Sequence, residues 1–222
     1  MKLEELYKLF SSHKEGRWTI NAMLAKRLYS FIQETKVENI LELGTGIGGG
    51  TALMSLSLKE KGQSCKITSM EQYDKCIKLA NELIPEELKE NITIHKSEVE
   101  VWKNDKIPYQ YFSVYKEIPE GDYDLIVADG PASWKDGENY IDLPNGDVMR
   151  LLLAGRVKPR TKIIWDKRIP ALRLLERFYG DNFFLVEYNT RGGWHILEKK
   201  DEPLKFEDAQ LKVLTEQTTF FK

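Results

Sequence analysis

Apolar residues recur along this chain at two spacings that take turns. Leu3, Leu6 and Phe10 fall on one helical face, which predicts a short helix through Phe10. Leu24, Leu28, Phe31 and Ile32 form a stripe between Asn21 and Thr35, a second helix with Thr19 or Asn21 available as its cap. At Asn39-Ile40-Leu41-Glu42-Leu43 the spacing becomes that of a strand, ended by Gly44-Thr45-Gly46-Ile47-Gly48-Gly49-Gly50. Helical spacing resumes at Thr51 and stops at Gly62. Further strands are predicted at 66–70, 92–95, 124–128 and 161–165, and further helices at 74–84, 147–156 and 170–179.

Strands alternating with helices imply a mostly parallel sheet covered on both faces. The final pair differs. Residues 183–188 and 194–198 flank Asn189-Thr190-Arg191-Gly192-Gly193, which is hairpin chemistry. The predicted fold class is therefore α/β: a three-layer, doubly wound, mostly parallel seven-stranded sheet closing in a C-terminal antiparallel hairpin. Residues 1–37 read as a helical segment packed on the core, 38–198 as a Rossmann-like ligand-binding domain, and 199–222 as a charged tail with a short helix at 211–214. Residues 99–121 fit no repeat unit and carry Trp102, Tyr109, Tyr111, Phe112 and Tyr115 around Pro108 and Pro119. They are expected to form an aromatic connection or small hairpin on the rim, in preference to a substrate-covering insertion.

Composition narrows the function classes. In 222 residues there are 33 Lys plus Arg against 35 Asp plus Glu, a net charge of −2, with 41% apolar residues. This suits one large domain and is too apolar for disorder. A dedicated nucleic-acid binder normally carries a dominant basic excess. No apolar run approaches the roughly 20 residues that span a bilayer. Acids interrupt Met1-Lys2-Leu3-Glu4-Glu5-Leu6 where a signal peptide needs an apolar run. Cys65 and Cys76 are too few for a zinc knuckle or redox pair. A soluble, cytoplasmic protein is the expectation.

The glycine cluster between strand and helix is a nucleotide-type cradle. Gly44, Gly46 and Gly49 satisfy the dinucleotide spacing, while Glu42, Gly44, Gly46 and Gly48 equally satisfy E-x-G-x-G-x-G. Glu42 separates the two. It would repel a pyrophosphate at this helix start, where backbone N–H groups attract anions. S-adenosylmethionine instead offers an ammonium and a sulfonium, each worth about 3 kcal/mol at about 6 Å from a carboxylate before desolvation. Glu71 ends the second strand, where an acid accepts hydrogen bonds from ribose hydroxyls; NAD enzymes use this position too. Asp129 ends the strand beside the first one, across the crevice from the glycines, although an Asp before Gly-Pro also serves simply as a turn former.

Glu42-Leu43-Gly44-Thr45-Gly46-Ile47-Gly48, Glu71 and Asp129-Gly130-Pro131 resemble motifs of the class I S-adenosylmethionine-dependent methyltransferases, over roughly Trp18 to Glu198. The resemblance implies that Glu42, Gly44, Thr45, Gly46, Gly48, Glu71 and Asp129 contact the cofactor, and that Glu98 contacts its adenine amine. It implies methyl transfer, and the Asp-Gly-Pro turn resembles members that methylate hydroxyl groups, including some acting on sugars, so the resemblance implies a small-molecule or glycan acceptor. Asp129, Asp166 and His195 are the candidate bases for such an acceptor. In metal-using relatives an Asp-Asn pair follows the fifth strand. Here Asp166 precedes Lys167-Arg168, whose charges oppose a divalent cation, so no metal ligand is expected. A non-catalytic adenosyl-binding module and an NAD-linked oxidoreductase are the alternatives.

Overall fold

The computed structural model describes residues 1–105, 107, 110–131, 134–136, 139–141 and 143–206, with 134–136 and 139–141 as backbone alone. Tyr109 and the expected helix at 211–214 lie outside the described residues.

Two helices, α1 (Leu3–Ser11) and α2 (Ala22–Glu34), precede the sheet. Asn21 caps α2, its side-chain oxygen accepting from the N–H groups of Met23 (3.1 Å) and Leu24 (3.0 Å). Alternating units follow: β1 (Asn39–Leu43), α3 (Gly49–Lys61), β2 (Lys66–Glu71), α4 (Asp74–Leu83) and β3 (Ile92–Lys96). The aromatic segment forms an antiparallel hairpin of β4 (Val99–Lys103) and β5 (Tyr111–Tyr115), which seats Phe112, Val114 and Tyr115 in the core. Then come β6 (Leu125–Ala128), the short β7 (Trp134–Asp136) and β8 (Asn139–Ile141), α5 (Asp147–Leu153), β9 (Lys162–Asp166), α6 (Ile169–Tyr179), β10 (Phe183–Asn189) and β11 (Trp194–Lys199).

The main sheet has seven strands in the order β10-β11-β9-β6-β1-β2-β3, parallel except where β11 runs antiparallel to both β9 and β10. β1 pairs with β2 on one side and β6 on the other, so the winding reverses between β1 and β6. Ligands bind at such a reversal, outside the carboxyl ends of the strands.

Alternate strand residues feed two cores. Ile40, Ile67 and Val127 face α1 to α4, and Leu41, Leu43 and Ile126 face α5, α6 and the β4–β5 hairpin. Every residue of α3 from Gly49 to Leu58 is buried, because α1 and α2 cover it on the side away from the sheet. A helix enclosed all round needs no polar face. Among the described residues no helix is long and apolar enough to cross a membrane.

Candidate active site

The carboxyl ends of β1, β2, β6 and β9 open into a cleft of about 380 Å³, roofed by Arg17 to Asn21. Its floor is the loop after β1. Gly44 has φ 104°, and a Cβ there would stand 2.9 Å from the Asp129 carbonyl carbon. Gly46 has φ 54°, and a Cβ there would meet the Trp18 carbonyl oxygen at 2.0 Å. Both positions exclude side chains through strain and collision together. The N–H groups of Gly44 (3.1 Å) and Thr45 (2.9 Å) donate to the Met70 carbonyl, which pins the loop to β2.

Glu42 lies under this floor. It is 2% exposed, and the hydroxyls of Thr51 and Ser69 both donate to its Oε2. Its Oε1 faces Gly50, where a Cβ would fall 2.6 Å away, and both residues line the cleft. Burial pushes the Glu42 carboxyl up to about 8, although the two hydroxyl bonds favour its ionised form. Ser69 extends the chain of polar contacts to Thr45, whose hydroxyl lies 2.6 Å away. Glu71 spends its carboxylate on backbone: Oε2 accepts from Gly46 (2.9 Å), and Oε1 from Gln72 (2.8 Å) and Tyr73 (3.0 Å). Burial raises its pKa and these three donors hold the rise back. Glu71 therefore fixes the loop, and it also lines the cleft.

Asp129 and Asp166 follow directly on Ala128 and Trp165, which are register partners in β6 and β9. Burial lifts both carboxyls above the usual range, and the charge of Asp166 lifts Asp129 further, while Lys167 and Arg168 oppose the rise. Arg168 is committed to Asp129: Nη2 donates to its carbonyl and stands 3.6 Å from Oδ1. Asp166 is 4% exposed, and among the described residues no donor reaches its buried Oδ1. A buried acceptor left open in this way is a place where an incoming donor gains most.

Trp18 stands 43% exposed on the rim of the roof, with the Arg17 guanidinium 5.3 Å from its ring centre. Thr19 Oγ1 is buried without a hydrogen-bond partner among the described residues. Asn21 Nδ2 donates to the Gly192 carbonyl (3.3 Å), tying the roof to the β10–β11 turn. Tyr115 also lines the cleft, its hydroxyl donating to Met70 O at 3.2 Å. The aromatic cluster in the sequence was the signal for Tyr115; a lone Thr before a helix gave none for Thr19.

Three expected site residues stand elsewhere. Glu98 has a side chain 79% exposed and 3.6 Å from Lys116 Nζ, outside the cleft lining, because it precedes a hairpin that leaves the sheet. His195 pairs with Trp165 and stacks on Tyr188 at 6.2 Å, one residue below the sheet edge and outside the lining. Gly48 turns its α-carbon toward α4, where a Cβ would touch Ala80 and Ile84 at 3.0 Å. Glu42, Gly44, Thr45, Gly46, Glu71, Asp129 and Asp166 are brought together.

The family model for protein-L-isoaspartate(D-aspartate) O-methyltransferase matches residues 15–125. No curated protein sequence matches the chain. Among solved structures, the Podospora anserina methyltransferase PaMTH1 bound to SAH is 14% identical, with TM-score 0.62 over 90% of this chain and 88% of that one. An O-methyltransferase from Bacillus cereus in complex with SAH is 16% identical (TM-score 0.57, covering 89% and 90%). TomG from Streptomyces achromogenes, with SAM, is 12% identical (TM-score 0.58, covering 89% of each chain). At these identities the likeness is one of fold.

The residues present fit S-adenosylmethionine. A side-chain-free floor admits close approach of an adenosyl group, acids at Glu42 and Glu71 suit its positive centre and hydroxyls, and the open Thr19 Oγ1 offers one more polar contact. The protein is an S-adenosylmethionine-dependent methyltransferase, and by the match over half its length the chain belongs to the protein-L-isoaspartate(D-aspartate) O-methyltransferase family.

Proposed function

We propose that the protein methylates a hydroxyl oxygen of a small-molecule or carbohydrate-like acceptor. When bound, S-adenosylmethionine supplies an electrophilic methyl group on sulfur. The chain's own task is to hold the acceptor oxygen in line with that methyl and to take up its proton. Asp166 and Asp129 are the residues for the proton. Asp129 ranks first on sequence, as the acid nearest the methyl that the resemblance implies. Its commitment to Arg168 makes it the positioning partner in this reading, and Asp166, with Oδ1 open, the base.

The observation that carries the proposal is this acid pair on the cleft wall, Asp166 buried and Asp129 half-buried. A hydroxyl must lose a proton during transfer, whereas a carboxylate acceptor of the kind in the family's name is already ionised. Two neighbouring acids would repel such a carboxylate if it stood at Asp166 as the methylated group itself. The O-methyltransferase names of the family and of two structural neighbours agree with an oxygen acceptor.

The test is methyl transfer from isotopically labelled cofactor to a panel of sugars, phenols and hydroxy acids, followed by mild alkali. Ethers keep the label under alkali and methyl esters release it as methanol. Label retained in an ether, and lost about 10²-fold or more in rate on Asp166→Asn, supports the proposal. Alkali-labile label, or an unchanged rate in Asp166→Asn, refutes it.

A further inference from the structure

We propose, building on the hydroxyl-transfer reading above, that the acceptor carries an oxyanion beside the hydroxyl it offers, and that Lys167 binds that oxyanion. Lys167 follows Asp166 at the end of β9 with φ 50°. A lysine has no short polar side chain to favour the left-handed region, so the conformation is imposed by its surroundings. Its N–H donates to the Gly193 carbonyl (2.8 Å), and its own carbonyl accepts from Ile169 (2.9 Å). A Cβ on Gly193 would stand 3.0 Å from Lys167 Cγ, so the lysine stem runs through the notch that this glycine leaves. The β10–β11 turn thus directs Lys167 along the cleft wall, which it lines.

Its side chain is exposed, and among the described residues its ammonium has no contact partner, neither an ion pair nor a side-chain hydrogen bond. The other two cations of the cleft are occupied: Arg168 holds Asp129, and Arg17 lies over Trp18. Lys167 also stands just ahead of the N-terminal end of the eleven-residue α6, whose dipole adds positive potential. Strained backbone is retained where the surrounding structure over-determines it, and such strain concentrates at ligand clamps. Asp166 and Asp129 attract this ammonium through space, and among the described residues neither stands in contact with it. A carboxylate, sulfate or phosphate next to the reacting hydroxyl satisfies it and turns that hydroxyl toward Asp166.

The test compares D-glucuronate with D-glucuronamide, which share their hydroxyls and differ in charge. Each is titrated calorimetrically into protein saturated with S-adenosylhomocysteine. Glucuronate is expected to bind at least about tenfold more tightly. Lys167→Asn, which tolerates the positive φ, is expected to bring the two within about twofold, and Lys167→Arg to keep the preference. S-adenosylhomocysteine affinity stays unchanged throughout. Equal affinities, failure of both to bind, or a preference that survives Lys167→Asn overturns the proposal. So does loss of S-adenosylhomocysteine affinity in Lys167→Asn, which assigns the ammonium to the cofactor's own carboxylate. Charge-selective binding supports the oxyanion site even where no hydroxyl on any acceptor is methylated; that outcome removes the hydroxyl-transfer reading alone.

Discussion

Replacing Glu42 by Gln is expected to stabilise the cofactor-free protein while weakening cofactor binding. The ordinary carboxyl value is 4.5 and the folded value about 8. At pH 7 the unfolded chain has therefore ionised Glu42 and the folded protein has not. Over the interval from 4.5 to 7, linkage gives an opposition to folding of about 3 kcal/mol. Because the folded value is raised, the contribution to stability is complete below pH 4.5 and is lost as pH climbs through about 8. Gln keeps a carbonyl oxygen for the Thr51 and Ser69 hydroxyls and has no proton to lose. Allowing for imperfect packing of the amide, a gain of roughly 2 kcal/mol at pH 7 is expected, or roughly 4–8 °C in Tm for a chain of this length. Urea melts at pH 5, 6, 7 and 8 measure it. Wild-type stability falls by up to about 1.4 kcal/mol per pH unit on account of this group, and that share is absent from the variant. S-adenosylmethionine affinity falls tenfold or more in the same protein, since its cationic centre loses an anion that it would otherwise draw into ionisation. A variant less stable at pH 7, or one whose pH slope parallels wild type, refutes the reasoning.

Methyl transfer should rise with pH as the acid pair ionises, above the ordinary carboxyl range because of burial and the repulsion of Asp129 by Asp166, and Asp166→Asn should flatten the lower limb of kcat/KM against pH. Gly46→Ala forces a Cβ onto the Trp18 carbonyl at a positive φ, so thermal melts should show a loss of at least about 2 kcal/mol and calorimetry little remaining cofactor binding. Glu71→Ala removes the acceptor of three backbone N–H groups, and a cofactor affinity lower by about 10²-fold or more is expected by calorimetry.

The architecture was legible because it is written in local spacing. β1 and β6 carry near-continuous apolar runs that suit central strands, and the Asn189–Gly193 turn announced the antiparallel edge. The cradle was legible for the same reason: glycines at fixed offsets from a strand state a backbone requirement. What stayed hidden depends on groups far apart in sequence. Nothing near Glu42 says that hydroxyls from α3 and β2 meet on one of its oxygens. Nothing near Asp129 says that Arg168 is spent on it. His195 alternates correctly along its strand, yet whether that residue reaches the cleft depends on the antiparallel register of β11, which sets it one position below the edge. Glu98 misled because the position after β3 leads here into the β4–β5 hairpin.

A Cβ on Gly130 would stand 2.7 Å from the Gly44 α-carbon, and one on Gly44 would meet Asp129 and Gly130 main chain at 2.9 Å. Main chain cannot step aside as a flexible side chain does, so the wall between the donor half of the chamber and the floor beneath it admits no variation by substitution. Retuning of which molecules this enzyme accepts, by natural drift or by a protein engineer, falls instead to the side chains of the lining, among them Arg17 to Asn21 and Lys167-Arg168, both tied to the β10–β11 turn through the Asn21–Gly192 and Lys167–Gly193 bonds.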